Sequence, residues 1–186
     1  MFKYFTILLF PLLSYCQNSF YIGVGTIASF AKTDFTTHYF LSKTNVGFSL
    51  TYGNTLRISD LIKLGLELHY HDNKFVLSRK DQSRFELHQN VGLSIRPGIN
   101  FRKNSISLIH GITGVYVFDK NETTGNQIDR YDEAWIWGSE YSYKPNHKIT
   151  LNIAYIVSNF ESLSLYTGNK LISFSILELG IKYNIY

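Results

Sequence analysis

The last ten residues, Leu177 to Tyr186, alternate apolar side chains with polar or small ones until the chain stops. In an extended strand Leu177, Leu179, Ile181, Tyr183 and Ile185 share one face. Glu178, Gly180, Lys182 and Asn184 share the other. A free terminus normally frays, so a strand ending here needs a neighbour to hold it. Closing a barrel is one way to supply that neighbour. The feature therefore bears on architecture and location more than on activity.

The same period of two divides the chain after residue 16 into eight segments of the length a membrane-crossing strand needs. They are Phe20 to about Phe30, Asn45 to Gly53, Ile62 to His71, Phe85 to Phe101, Ser105 to Phe118, Ala134 to Tyr143, Lys148 to Val157, and the terminal strand from about Leu171. Pro97-Gly98 is expected to interrupt the fourth with a bulge or an early end. In the fifth, His110 and Gly114 fall among Ile106, Leu108, Ile112 and Tyr116, and a bulge is expected to reset the phase. Segments 31–44, 72–84, 119–133 and 158–170 read as long polar loops. Arg102 to Asn104 and Lys144 to His147 read as tight turns, and Asn54 to Leu61 is intermediate. Short connections on one rim and long ones on the other suit an eight-stranded, antiparallel, up-and-down transmembrane β-barrel.

Composition decides which face looks outward. Aromatics are 16% of the chain, with 14 Tyr, 14 Phe and only 3 Pro, a mixture that favours strands. The polar face is rich in Gly, Ser, Thr and Ala and poor in Lys, which suits a cramped lumen better than a solvated exterior. Tyr70, Tyr116, Trp135, Trp137 and Tyr155 fall near the loop rim, and Tyr52, Tyr143 and Tyr183 near the turn rim. Two such girdles bracketing a Leu/Ile/Val band match the preference of amphipathic rings for lipid interfaces. A soluble lipocalin-like barrel in the periplasm, with its apolar face inside around a ligand, is the alternative that alternation alone leaves open.

Met1 to Cys16 has Lys3, a short apolar stretch from Ile7 to Leu13, and small Ser14 and Cys16 at the −3 and −1 places of a cleavage site. The apolar run is too short to span a bilayer, so residues 1–16 read as a cleaved export signal and 17–186 as one barrel domain. Leu13-Ser14-Tyr15-Cys16 also has the outline of a lipobox, but bulky Tyr15 stands where that motif takes a small residue. Without Cys16 the remaining chain has no cysteine and no disulfide. The formal charge of +4 is spread among scattered residues, which argues against a nucleic-acid partner.

The Cys16-Gln17 exit, the opening Tyr21-Ile22-Gly23-Val24-Gly25 and the ending Leu179-Gly180-Ile181-Lys182-Tyr183 together carry a resemblance. The chain from Gln17 to Tyr186 resembles small outer-membrane barrels of the OmpA/OmpX type, and particularly the PorT-family barrels of Bacteroidetes. The resemblance implies insertion by the barrel-assembly machinery, with the last strand as its recognition signal. Such strands usually close on an aromatic. Here the apolar phase ends on Ile185, and Tyr186 is one position out of step.

The sharpest polar constellation lies between the third and fourth segments. Pairing them with Leu66 opposite Val91 sets His69 against His88, His71 against Glu86, and Glu67 against Asn90. Three histidines with carboxylates could hold a borderline metal, although His-x-His spacing arises freely on strands. The reading preferred is a hydrogen-bonded polar network filling the lumen. Its members are Glu67, His69, His71, Glu86, His88, Arg96, Glu140, Glu178 and Lys182, and it would plug the bore. No metal or cofactor is expected.

Lipid-modifying enzymes exist on this scaffold, and His110 with Ser158 is the nearest candidate pair, without a motif around it. The expectation is therefore a structural or surface-interaction protein without catalysis. Its partners would be outer-membrane lipid and a surface ligand or protein met through the loops. The 72–84 loop carries four basic residues against two acids, and the 119–133 loop five acids against two basic residues.

Overall fold

The computed structural model describes residues 17–33, 40–41, 45–79, 82–121, 127–164 and 168–185, with side chains placed in 19–29, 46–73, 89–116, 131–159 and 175–185. The expected export signal and Tyr186 lie outside the described residues. Strands follow the period-two pattern: β1 (Gln17–Thr33), β2 (Phe40–Leu41), β3 (Asn45–Arg57), β4 (Ile62–Arg79), β5 (Gln82–Phe101), β6 (Asn104–Asn121), β7 (Gln127–Tyr143), β8 (Ile149–Ser164) and β9 (Gly168–Ile185). β2 is a two-residue strand against the far end of β4. The other eight pair antiparallel, each with its neighbours in the chain, and β1 pairs with β9 to close the barrel. The terminal strand is thus held by Phe20↔Ile185 through Thr33↔Ile172.

Closure fixes the width of the barrel. From Ile185 the ladder leads across to Phe20, Asn54, Leu66, Ile95, His110, Trp137, Val157 and back onto β9 at Ser175. The circuit returns ten residues from its start, since 185 less 175 is 10. Eight strands with that stagger must tilt strongly, by roughly 40°, and leave an interior that side chains fill.

Three features differ from the sequence reading. The strands run on through most of the expected loops. β4 and β5 pair as far as Arg79↔Gln82, β6 and β7 to Lys120↔Gln127, and β8 and β9 to Ser164↔Gly168. Backbone pairing does not need an apolar face, so the ladder continues where Asp, Lys and Arg end the hydrophobic pattern. Second, Pro97 does not end β5. Without an N–H it leaves a gap in the β6 ladder between Ile95↔His110 and Gly98↔Ser107, but the register is the same on both sides and Leu64↔Pro97 stays paired.

Third, β6 has no bulge at His110. Ile106, Leu108, His110 and Ile112 all face out, while Ser105, Ser107, Ile109, Thr113 and Val115 face in. His110 simply occupies an outward position, with its ring stacked on Trp135 at 5.6 Å. The aromatic face shelters the imidazole, so no phase reset is required.

The short rim is built from tight turns. Phe101↔Asn104 closes a two-residue hairpin in which Arg102 has φ 58°. In the 144–148 turn the Asn146 side-chain oxygen accepts from the N–H groups of Lys148 and Ile149, both at 2.9 Å. A left-handed conformation costs an L-residue about 1–2 kcal/mol and glycine almost nothing. Arg102→Gly should therefore stabilise the refolded barrel by about 1 kcal/mol. A urea midpoint that stays put or falls would contradict the turn geometry.

Candidate functional site

Pleating turns every second residue of β4, β5, β7 and β9 into the bore, and those positions carry opposite charges at one level. Arg96 from β5 reaches two carboxylates. One guanidinium nitrogen meets Glu67 Oε1 of β4, and Nη1 donates to Glu140 Oε2 of β7 at 2.5 Å. Lys182 from β9 binds the same two acids, at 2.8 Å to Glu67 Oε2 and 2.6 Å to Glu140 Oε2. The result is a closed ring of two cations and two anions spanning the lumen. All four residues are 5% exposed or less.

Neutral groups brace the ring. The Tyr21 hydroxyl of β1 donates to Glu67 Oε2 at 2.7 Å, and Lys182 Nζ lies 4.9 Å from the centre of the Tyr21 ring. Ser142 donates to Glu140 Oε1 at 3.0 Å, and Arg96 Nε donates to Ser94 at 3.3 Å. Tyr21 fits because Gly53 lies opposite: a Cβ there would sit 2.4 Å from the phenolic oxygen. Buried charges are costly unless paired and hydrogen-bonded. Among the described residues the buried ionic side chains are three acids (Glu67, Glu140, Glu178) and three bases (Lys63, Arg96, Lys182), so the interior balances its own charge.

Above this ring the bore holds His69, His71 and Glu178. The imidazoles stack with centres 4.9 Å apart, and Glu178 Oε1 accepts from Ser49 at 3.0 Å. His69 lies close over Gly92, where a Cβ would meet Nε2 at 2.5 Å. Below the ring, a cavity of about 30 Å³ bordered by Tyr21, Lys63, Arg96, Glu140, Lys144 and Lys182 has room for roughly one water. Lys63 donates to Ser105 at 2.7 Å at this end.

The β4–β5 register differs from the expected one by four positions. Leu66 faces Ile95 instead of Val91, so His69 lies opposite Gly92 and His71 opposite Asn90. His88 and Glu86 lie opposite Asn73 and Phe75, and their side chains fall outside the described ones. The His69–His88 and His71–Glu86 pairs do not form. The hairpin closes between Arg79 and Gln82, two residues further along the chain than Leu66 opposite Val91 would place its tip.

One element of the interior has no counterpart in the sequence reading. Ile27, Ile109, Ile136, Ala154, Ile156 and Ile176 form a buried apolar cluster. The sequence signal for it is an apolar residue on each face at adjacent positions, as at Leu108-Ile109.

On the outer face Tyr52, Trp135, Trp137, Tyr143, Tyr155 and Tyr183 are exposed, and Tyr70 and Tyr116 are half-buried. Tyr143 and Tyr183 sit at the turn rim. Tyr52 is set further in, opposite Ile22 and Leu68, and Tyr155 donates to Ser175 at 2.9 Å. His110 and Ser158 are on opposite faces of the wall, His110 outward and Ser158 3% exposed in the lumen, so they cannot act together.

No protein-family model matches the chain, and no curated protein matches it by sequence. Solved structures do. Neisserial surface protein A has 14% identity and a TM-score of 0.67, over 91% of this chain and 99% of that one. The attachment invasion locus protein Ail of Yersinia pestis has 14% identity and a TM-score of 0.63, with the same coverage. The outer membrane protein OprG of Pseudomonas aeruginosa has 12% identity and a TM-score of 0.54, over 92% and 97%. At such identities the likeness is one of fold.

Removing one member of the charge ring leaves its partners buried and uncompensated. Glu140→Ala should cost about 3 kcal/mol or more. Glu140→Met with Lys182→Met removes a pair together and should recover at least half of that. Urea unfolding reads both, and a cost for the single variant below about 1 kcal/mol would mean the ring is not sealed from water.

Proposed function

We propose that this chain is an outer-membrane barrel with a structural or surface-interaction role, a closed lumen, and paired hairpins that project on the loop side as recognition elements. The observation that carries the reading is the inversion of its surfaces. Val24, Leu50, Leu66, Leu68, Val91, Leu93, Ile112, Leu179 and Ile181 are all 44% exposed or more, while the ionic groups are inside. A contiguous apolar belt of this kind has no place in water. A lipocalin-like barrel would have the reverse arrangement. The charge ring blocks the bore, which speaks against passage of solutes, and His110 and Ser158 lie on opposite faces of the wall.

The opening and closing strands that suggest a PorT-family barrel lie side by side at the seam. Two of the proteins sharing this fold are named for attachment and for the cell surface, which fits recognition through the β4–β5, β6–β7 and β8–β9 hairpins.

The test is fractionation with unboiled electrophoresis. The protein should sediment with the outer membrane and migrate differently before and after boiling; recovery from the soluble periplasm would overturn the proposal. Leu179 lies midway along the outer face of β9 and Tyr183 near its end. Leu179→Arg should cost about 2–4 kcal/mol and Tyr183→Arg about 1 kcal/mol or less. Equal costs in bilayer refolding would contradict the depth assigned to them.

A further inference from the structure

The turn rim carries a charge excess that the lumen network leaves out. Arg57, Arg102, Lys103, Lys144 and Lys148 meet there, and among the described residues at this rim the only carboxylate is Asp60. Asp60 is paired with Arg57 at 3.0 Å. Five cations less one acid leave an excess of four, equal to the +4 of the whole chain. The rest of the molecule is therefore close to neutral, and the basic character is concentrated on one edge.

Backbone bonds hold this edge together as one surface. Lys144 N–H donates to the Lys103 carbonyl at 2.7 Å, and Asn100 N–H donates to the Leu61 carbonyl at 2.7 Å. Asn184 of the closing strand donates from its N–H to the Lys148 carbonyl at 2.8 Å. Desolvation at the rim, and then the like charges of Arg57 and Lys182, hold the Lys144 ammonium below its ordinary pKa. Like charges gathered at this density favour an external anion. Immediately above them the outward residues are Ile62, Phe101, Tyr143 and Tyr183, all exposed, which form the lower edge of the apolar belt.

We propose that this ring of turn-rim lysines and arginines binds the headgroup phosphates of anionic phospholipids in the leaflet at the turn side of the barrel. The inference rests on the membrane reading above. The apolar belt places the acyl chains, and the cations start where it stops, at the level where phosphates lie. Each Lys or Arg near such a surface contributes attraction that an adjacent headgroup can use. Arg102 and Lys103 at a hairpin tip, with Lys144 and Lys148 in the neighbouring turn, are all exposed at this edge.

The experiment uses the folded chain in nanodiscs of phosphatidylcholine with a minor share of phosphatidylglycerol, and native mass spectrometry of the lipids retained. Phosphatidylglycerol should be enriched roughly fivefold over its bulk share. The enrichment should collapse toward bulk in Arg102→Ser/Lys103→Ser/Lys144→Ser/Lys148→Ser, and for the unmodified chain in about 0.5 M salt. No enrichment, or enrichment insensitive to both salt and the substitutions, would overturn the proposal. Displacement by millimolar inorganic phosphate would overturn it too, because the site would then take free anions. The salt arm needs no variant, so a misfolded quadruple variant does not blunt the test. A wild-type chain that fails to enter nanodiscs at all would sink the membrane reading instead.

Discussion

The pairing of β1 with β9 is the constraint on which everything else depends. An open sheet would leave two rows of unpaired N–H and C=O groups, which an apolar surround cannot satisfy. Closing the ladder with a ten-residue stagger removes both edges. It also fixes the bore at a width that long side chains from opposite walls can cross. Arg96 and Lys182 are able to reach Glu67 and Glu140 only because closure brings β4, β5, β7 and β9 around one axis.

From that geometry follows a division of labour between the faces. The outer face can be apolar because no part of it has to form a core. The inner face must then be packed with groups that satisfy one another, since a narrow bore admits little water to do so. Two cations shared between two carboxylates meet the requirement with few residues. Tyr21, Ser94 and Ser142 supply the remaining hydrogen bonds. Glycines opposite Tyr21 and His69 make room for the two rings. The apolar cluster around Ile109 and Ile156 fills a further part of the lumen, with Ile27 and Ala154 beside Glu178 in the ladder.

Much of this was legible in the chain itself. Alternation placed each of the eight barrel strands, with the terminal strand as the one that closes on the Phe20 strand. The inward parity of Glu67, Arg96, Glu140, Glu178 and Lys182 followed directly from it. Register was harder. Hydrophobic alternation constrains a strand only modulo two, so Leu66 against Val91 and Leu66 against Ile95 satisfy the pattern equally, and only the position of the hairpin tip separates them. That position is hidden because the 74–84 stretch lacks a period-two apolar pattern, although its backbone pairs as far as Arg79↔Gln82. His110 misled for a related reason. A polar residue at an outward position looks like a phase error unless the stacking surface of Trp135, on the next strand, is taken into account.

The account stands on the outer face being the one in contact with lipid. Both tryptophans of the chain, Trp135 and Trp137, lie on that face at 61% and 56% exposure. Their intrinsic fluorescence reports on it without any label. In bilayers of phospholipid with brominated acyl chains, the emission should be strongly quenched relative to unbrominated lipid, with little effect from aqueous iodide. Emission indifferent to bromine and quenched by iodide would place the aromatic belt in water, and the inverted barrel described here would be wrong.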